Sequence, residues 1–476
     1  MILLKNSEKT PVNANSTLRH QLITSAAYLE AKKQFVATLL EGVARTRSIR
    51  GATSPEIREA YLKELQEFGK RKGREQYYPY LSSGIGSGPF VELLDGSVKL
   101  DLITGIGVNF FGHGHPAFID EILDGATSDI MQGNLQPGFE SDELLRTMLA
   151  AVGEKSKLKY GWLFCSGTMA NETALKIIRQ KKFPATKVFA FNDCFAGRST
   201  AMQEISDNPK YREGQPTYGE VSYLPFYDPS VGLEKSITET VGRMQAELGH
   251  HPGKFAGLML EIVQGEGGIR WAPREWYVAI FETAKKAGLA IWADEIQTFG
   301  RLEKLFAYQH FGLEEYVDVV TVGKLLQACM TLYSEEYNPK PGLVAGTFTG
   351  SFAALRTGRR VLEMLTKDGY YGPQGKIAKL SAHFRAGLES LSKGSCRGLI
   401  GEIRILGGMI GFGVLGQNLE DTKRFLMKLF DEGAVAFFAG HDPYVVRCLP
   451  PFGAMTEAEV DLAISTIEKA LLSFKK

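Results

Sequence analysis

The sequence predicts an α/β protein: a large domain with a mostly parallel sheet, joined to a smaller α+β domain. Three observations carry this. From Tyr78 onward, short apolar β-rich runs alternate with amphipathic helical stretches, the pattern of right-handed βαβ units. Past residue 350 the pattern changes to long helices around short strands. The length, 476 residues, holds two to three structural units at roughly 150 residues each.

Residues 1–77 read as a helical N-terminal extension. Helices are expected over Gln21 to Arg45 and Ser54 to Lys70, with Gly51 as the break and Ser54-Pro55 as the cap. Residues 1–80 carry 14 Lys/Arg against 8 Asp/Glu, a bias read as solvated helix faces rather than a binding surface. Residues 78–125 form the N-terminal part of the small domain and a linker. Residues 126–350 form the large domain. Its strands are expected at Tyr160–Phe164, Lys187–Phe191, Phe255–Leu260, Ala290–Ala293 and Val317–Val322, and its helices include Met169–Arg179 and Trp276–Ala287. Residues 351–476 complete the small domain. Its helices are expected over Phe352–Leu365, Gln374–Leu391, Leu419–Asp431 and Glu457–Ser473, with strands near Ile403–Gly411, Val435–Phe438 and Val445–Cys448.

Composition narrows the function classes. The 55 basic and 54 acidic residues leave a net charge of +1, which argues against a nucleic-acid channel or a polybasic membrane anchor. The five cysteines are scattered with no CxxC pair, so a disulfide framework and a zinc site are not expected, and a reducing, cytoplasmic compartment is. Ile2-Leu3-Leu4 is too short for a signal-peptide core, and no run of about 20 apolar residues suggests a membrane span.

Three strand ends could carry chemistry. Cys165-Ser166-Gly167-Thr168 stands between a strand and a helix, where small residues and the helix N-terminus favour a phosphate; the same tetrapeptide also suits an ordinary helix cap. Asp294 ends a buried apolar strand, where an acid is costly unless it meets a cation, a metal or a protonated ring nitrogen. Lys324 follows Val319-Val320-Thr321-Val322-Gly323, where desolvation would lower its pKa and make its amine nucleophilic. Each feature alone has a bland reading. Together they match one small molecule, pyridoxal 5'-phosphate, whose phosphate wants a helix N-terminus, whose ring nitrogen wants a carboxylate and whose aldehyde wants a lysine.

At this point the sequence resembles the class III (ω-type) pyridoxal-phosphate aminotransferases, the group of acetylornithine, ornithine and 4-aminobutyrate aminotransferases. The resemblance runs from about Leu100 to Leu471. It rests on an ordered set: Gly105–Pro116, Ser166–Leu175, Phe195-Ala-Gly-Arg-Ser199, Glu261-Ile-Val-Gln-Gly-Glu-Gly-Gly268, Asp294-Glu-Ile-Gln-Thr-Phe-Gly-Arg301, Lys304–Ala307, Gly346-Thr347-Phe348 and Arg447–Pro451.

The resemblance implies a fold type I transferase and a transaminase moving an amino group from an amino acid or ω-amine to 2-oxoglutarate. The mechanism would be ping-pong, through a Schiff base on Lys324. It implies that Lys324 shuttles the proton, Asp294 pairs with the ring nitrogen, and Gln297 bonds the ring's O3′. Gly167 and Thr168, with Ser166, would hold the phosphate, and Phe195 would stack on the ring. Thr347 would reach the phosphate of a neighbouring subunit, which implies a homodimer. Arg198 and Arg447 would bind substrate carboxylates, Glu266 would pair with Arg447, and Glu261 would lie near the cofactor.

Three departures stand out. Leu325-Leu-Gln-Ala-Cys-Met330 replaces a Gly-rich loop and is expected to alter the entrance or the dimer contact, Ala196 replaces His or Trp and should open space near the ring, and the N-terminal extension is long. The alternatives are another class III reaction (an aminomutase, a decarboxylating or a simple-amine transaminase) or a catalytically silent scaffold relative. A nucleotide-dependent enzyme built on Gly84-Ile-Gly-Ser-Gly88 is a further alternative, but that stretch lacks GxGxxG spacing.

Overall fold

The computed structural model describes residues 17–475; the Ile2–Leu4 stretch lies outside the described residues. The centre is a seven-stranded sheet in the order Leu158–Phe164, Cys329–Ser334, Val319–Val322, Ala290–Glu295, Phe255–Leu260, Lys187–Phe191, Val221–Leu224. All pairings from Val319–Val322 to Val221–Leu224 are parallel. Only Cys329–Ser334 runs antiparallel, to both of its neighbours. The four middle strands of the parallel set read as near-continuous apolar runs because helices cover both faces. In Ala290–Glu295 and Val319–Val322 every residue is buried. Trp276 and Trp292 are fully buried in the two core clusters.

The expected strands lie at their predicted places with end corrections of a few residues, except that Val435–Phe438 divides at Ala436 into Ala434–Val435, paired with Val98–Asp101, and Phe437–Ala439, paired with Val445–Cys448. Ala290–Glu295 extends through Asp294 and Glu295, so both acids are strand residues rather than loop caps. Cys329 and Met330, the end of the segment expected as a loop after Lys324, instead begin a strand, Cys329–Ser334. The Ile403–Gly411 region is a hairpin, Ile400–Leu406 and Met409–Val414, turning at Gly407 with φ 55°. The Gln21–Arg45 helix is interrupted: Leu18–Ile23 ends before Ser25, whose side chain accepts from Tyr28 N–H and starts Ala26–Val43. Pro55–Lys72 begins at the Ser54 cap and ends at Gly73 in the left-handed region, as the N-terminal Pro and C-terminal Gly dictate.

Outside the central sheet, Ser82–Ser87, Phe90–Leu93 and Val98–Asp101 form an antiparallel meander, and Ala434–Val435 pairs parallel to its last strand. A four-stranded antiparallel sheet (Ile400–Leu406, Met409–Val414, Val445–Cys448, Phe437–Ala439) lies between the C-terminal helices. Gly84-Ile-Gly-Ser-Gly88 sits in the meander, with no helix following it, which removes the geometric basis for a phosphate loop there.

Candidate active site

The parallel strands end at one cavity, as ligand sites in open α/β sheets do. Its volume is about 300 Å3. Gly167, Thr168, Phe195, Asp294, Gln297 and Lys324, all singled out from the sequence, line it together.

Asp294 and Lys324 leave adjacent strands. Asp294 is paired in register with Thr321, and Lys324 follows two residues after Val322. Asp294 is 4% exposed. Its Oδ2 accepts from Asn171 Nδ2 at 2.7 Å and its Oδ1 from the Ile296 N–H at 2.9 Å. Burial pushes its pKa up to about 6, and the hydrogen bonds from Ile296 and Asn171 and the charge of Lys324 oppose that rise. Burial also lowers the pKa of the Lys324 ammonium, against the pull of Asp294 and Glu266. Lys324 has φ 47°, an uncommon conformation for a side chain of this size and one that clusters at functional positions.

The phosphate end is built from the N-terminus of Gly167–Lys182. Ser166 caps that helix, its Oγ accepting from the Met169 N–H at 3.2 Å. The Gly167 and Thr168 amides remain as the first free donors of the helix. Gly197 faces them with φ 138°; a Cβ there would come within 2.6 Å of Thr168 Oγ1, so the approach is closed to any residue but glycine.

Phe195 stands beside the cavity on a loop fixed by Glu261. The Glu261 carboxylate accepts from the Phe195 N–H at 2.9 Å and the Gly265 N–H at 3.0 Å. Burial and the nearby Asp294 charge push its pKa up to about 8. Glu261 therefore pins the loop that carries Phe195 and the loop that carries Glu266.

The outer side opens into a second cavity of about 800 Å3 that also contains Lys324, with Arg198 and Glu266 in its wall. Arg447 is fully buried behind it. Its Nη1 donates to Glu266 Oε1 at 3.0 Å and to Gln297 Oε1 at 3.4 Å. Its Nε and Nη2 are buried without a hydrogen-bond partner among the described residues. Arg198 is exposed at the rim, its guanidinium 3.4 Å from the centroid of Tyr211.

Thr347 does not line its own chain's cavity. It lies exposed on a loop packed against residues 132–134, where the Asn134 N–H donates to Gly346 O at 3.3 Å. The bulky segment after Lys324 bears on the core and on the cofactor cavity. Leu325 and Leu326 turn into the core, Cys329 lines the cofactor cavity, and Gln327 Nε2 donates to Val108 O at 2.9 Å. Ala196, buried at the cavity wall, accepts from Asn171 Nδ2 through its carbonyl. Asn171 is thus a site residue that motif reading passed over. It joins the wall to Asp294, and its Oδ1 is buried without a hydrogen-bond partner among the described residues.

The residues fit pyridoxal phosphate. A helix N-terminus with small residues meets the phosphate, a buried carboxylate without an ion-pair partner among the described residues meets the ring nitrogen, and a desolvated amine meets the aldehyde.

Comparison with known proteins decides the family. The family profile "Aminotransferase class-III" matches residues 75–471. The chain belongs to the class III aminotransferases. It is similar to an acetylornithine aminotransferase of Caldanaerobacter subterraneus subsp. tengcongensis, 31% identical over 401 residues, covering 81% of this chain and 93% of the relative. An acetylornithine aminotransferase of Mycolicibacterium smegmatis is 31% identical over 407 residues, covering 83% and 94%. Among solved structures, a lysine aminotransferase from M. tuberculosis superposes with TM-score 0.76 at 20% identity, covering 86% of this chain and 100% of that one. The ornithine aminotransferase from Toxoplasma gondii ME49 gives 0.75 at 22%, covering 89% and 99%. These structures share the fold, fold type I. As a class III aminotransferase of the acetylornithine and ornithine group, the protein is a pyridoxal-phosphate-dependent transaminase. Among the described residues no helix is long and apolar enough to cross a membrane.

Proposed function

We propose that this class III aminotransferase takes the amino group of an ω-amine, of the acetylornithine, ornithine or 4-aminobutyrate type, and passes it to 2-oxoglutarate in a ping-pong cycle. The observation that carries the reading is the Arg447–Glu266 pair at 3.0 Å, with Arg447 fully buried and Glu266 partly exposed to the substrate cavity.

The two substrates make opposite demands on one place. 2-Oxoglutarate carries a carboxylate next to its reacting carbon, and an ω-amine carries none. A bare arginine facing the second substrate would be an uncompensated buried charge, which is strongly destabilising. Glu266 neutralises Arg447 while the amine is bound. When 2-oxoglutarate binds, Glu266 turns toward the solvent side of the cavity and the guanidinium grips the carboxylate. Arg198 holds the far carboxylate of either substrate.

Bound pyridoxal phosphate supplies an electron sink for the carbon that loses its proton. With that group bound, Asp294 would keep the ring nitrogen protonated and Gln297 would hold the ring's O3′. Ser166, Gly167 and Thr168 anchor the phosphate, and Phe195 covers one face of the ring. Lys324, lowered in pKa by burial, would be suited to take the proton from the substrate carbon and hold it for transfer.

Replacing Glu266 with Gln is expected to impair the half-reaction with ω-amines more than that with glutamate. Arg447→Ala is expected to do the reverse, weakening glutamate and 2-oxoglutarate by about 2–5 kcal/mol. Single-turnover spectra with each donor separate the two. Equal losses for both donors in both variants would remove the switch from the account.

The exposed Thr347 loop and the strongly exposed Ile130, Leu135 and Phe348 (85%, 94% and 62%) support a homodimer in which Thr347 completes the partner's phosphate site; the scattered, unpaired cysteines favour a reducing cytoplasm for it. Such an obligate interface buries more than about 2,000 Å2. Sedimentation at assay concentration should find a dimer, and Thr347→Ala should weaken cofactor retention. An active monomer would contradict this arrangement.

A further inference from the structure

The wall of the 800 Å3 cavity is electrostatically one-sided. Besides Lys324 at its inner end, its basic side chains are Arg198, Lys210, Lys423 and His441, drawn from a loop, a 3-10 turn, a helix and the segment after Phe437–Ala439. Its one acidic side chain is Glu266, already committed to Arg447. Arg198, Lys210 and Lys423 form no ion pair among the described residues, and none lies deep: Arg198 and Lys210 are exposed and Lys423 is half-buried. Two acids behind the wall are already paired. Asp193 faces His441 at 3.0 Å and Arg270 at 2.9 Å, and Asp207 lies 3.9 Å from Arg212. Tyr211, Phe437, Phe438 and Tyr444 line the same cavity, a surface suited to a methylene chain rather than to a second ammonium.

We propose that this rim selects amine donors whose far end is a carboxylate with no free ammonium beside it: ω-amino acids or N-acylated diamino acids, in preference to free diamino acids. The inference rests on the ω-amine reading above. A donor enters with its reacting amine toward Lys324 and leaves its far end among Arg198, Lys210 and Lys423. A lone carboxylate there satisfies cations that otherwise have no partner. A zwitterionic far end has no net charge to gain from the field, and its ammonium meets like charges while the one carboxylate lining the cavity, Glu266, is committed to Arg447.

Three donors isolate the charge. 5-Aminovalerate and L-ornithine differ by the α-ammonium, and N2-acetyl-L-ornithine restores the bulk without the charge. Single-turnover kcat/KM of the holoenzyme is expected to be at least about tenfold higher for 5-aminovalerate and N2-acetyl-L-ornithine than for L-ornithine, given several unpaired cations each contributing a factor of a few. Lys210→Gln combined with Lys423→Gln should shrink that ratio about three- to tenfold, and salt near about 0.5 M should shrink it in the wild type. A ratio near one, or one that neither the variant nor salt alters, overturns the proposal. Fast 5-aminovalerate with equally slow ornithine and acetylornithine also overturns it, because the selection would then be by size. Conversion of none of the three, while another class of amine reacts, overturns the ω-amine reading itself.

Discussion

Lys324→Ala is expected to abolish transamination while leaving the fold intact. The Lys324 side chain ends in the cavity rather than in the core, and its backbone turn is closed by Leu325 and Leu326 in the core and by Gln327 on Val108 O. Removing the amine therefore removes little packing. What it removes is the covalent anchor and the group that moves the proton, two functions no neighbour replaces: among the described residues the cofactor cavity holds no other lysine. Loss of an activated nucleophile and general base together is a loss of several orders of magnitude. Pyridoxal phosphate should still bind without a covalent link, through the helix N-terminus and Asp294. Circular dichroism and thermal melting would show the retained fold. Near-normal turnover by the variant would sink the assignment.

Asp294→Asn is expected to lower the rate of proton removal from the substrate carbon by at least about 100-fold, the scale of losing one strong pre-organised electrostatic stabiliser. The carboxylate is held by two donors, Asn171 and the Ile296 N–H. The replacement is isosteric, and geometry changes little. The ring nitrogen loses the negative charge that keeps it protonated, and an unprotonated ring accepts electrons poorly. In the cofactor-free protein burial lifts this carboxyl to about 6. A cation opposite it, such as the ring N–H, reverses that shift and favours the ionised form at neutral pH. Pre-steady-state kinetics with a donor deuterated at the carbon that bears the reacting amine would place the loss on the proton step. A change confined to KM would contradict the role.

Much of the fold was legible because burial on both faces leaves an unambiguous mark. Lys187–Phe191 and Phe255–Leu260 are continuous apolar runs, and their ends agree with the structure to the residue. Cys329–Ser334 was missed because it is the one antiparallel strand of the central sheet, entered through a tight turn at Gln327 with φ 63°. A local pattern does not announce a chain reversal of that kind. The helix break at Ser25 was missed because hydroxyl capping competes with helix continuation at a position where apolar spacing persists.

In the site, Lys324, Asp294, Gly167 and Thr168 were reachable because each sits at or just beyond a strand end, whereas Gln297 and Phe195 were reached through the family resemblance. The Arg447–Glu266 pairing was reachable only through the family resemblance. Asn171 and Gln327 were not reached. Their roles depend on side chains crossing between elements, Asn171 from a helix to Asp294 and Gln327 from a turn to Val108, and sequence spacing carries no record of such crossings. Tyr211 escaped for the same reason, since its ring meets Arg198 only when two loops close over the cavity.

The most direct test is reductive trapping. Holoenzyme treated with borohydride, digested and mapped by mass spectrometry should carry the pyridoxyl group on Lys324, and addition of an ω-amine before reduction should remove that label. A label on another lysine, or one that persists in the Lys324→Ala variant, would contradict the account.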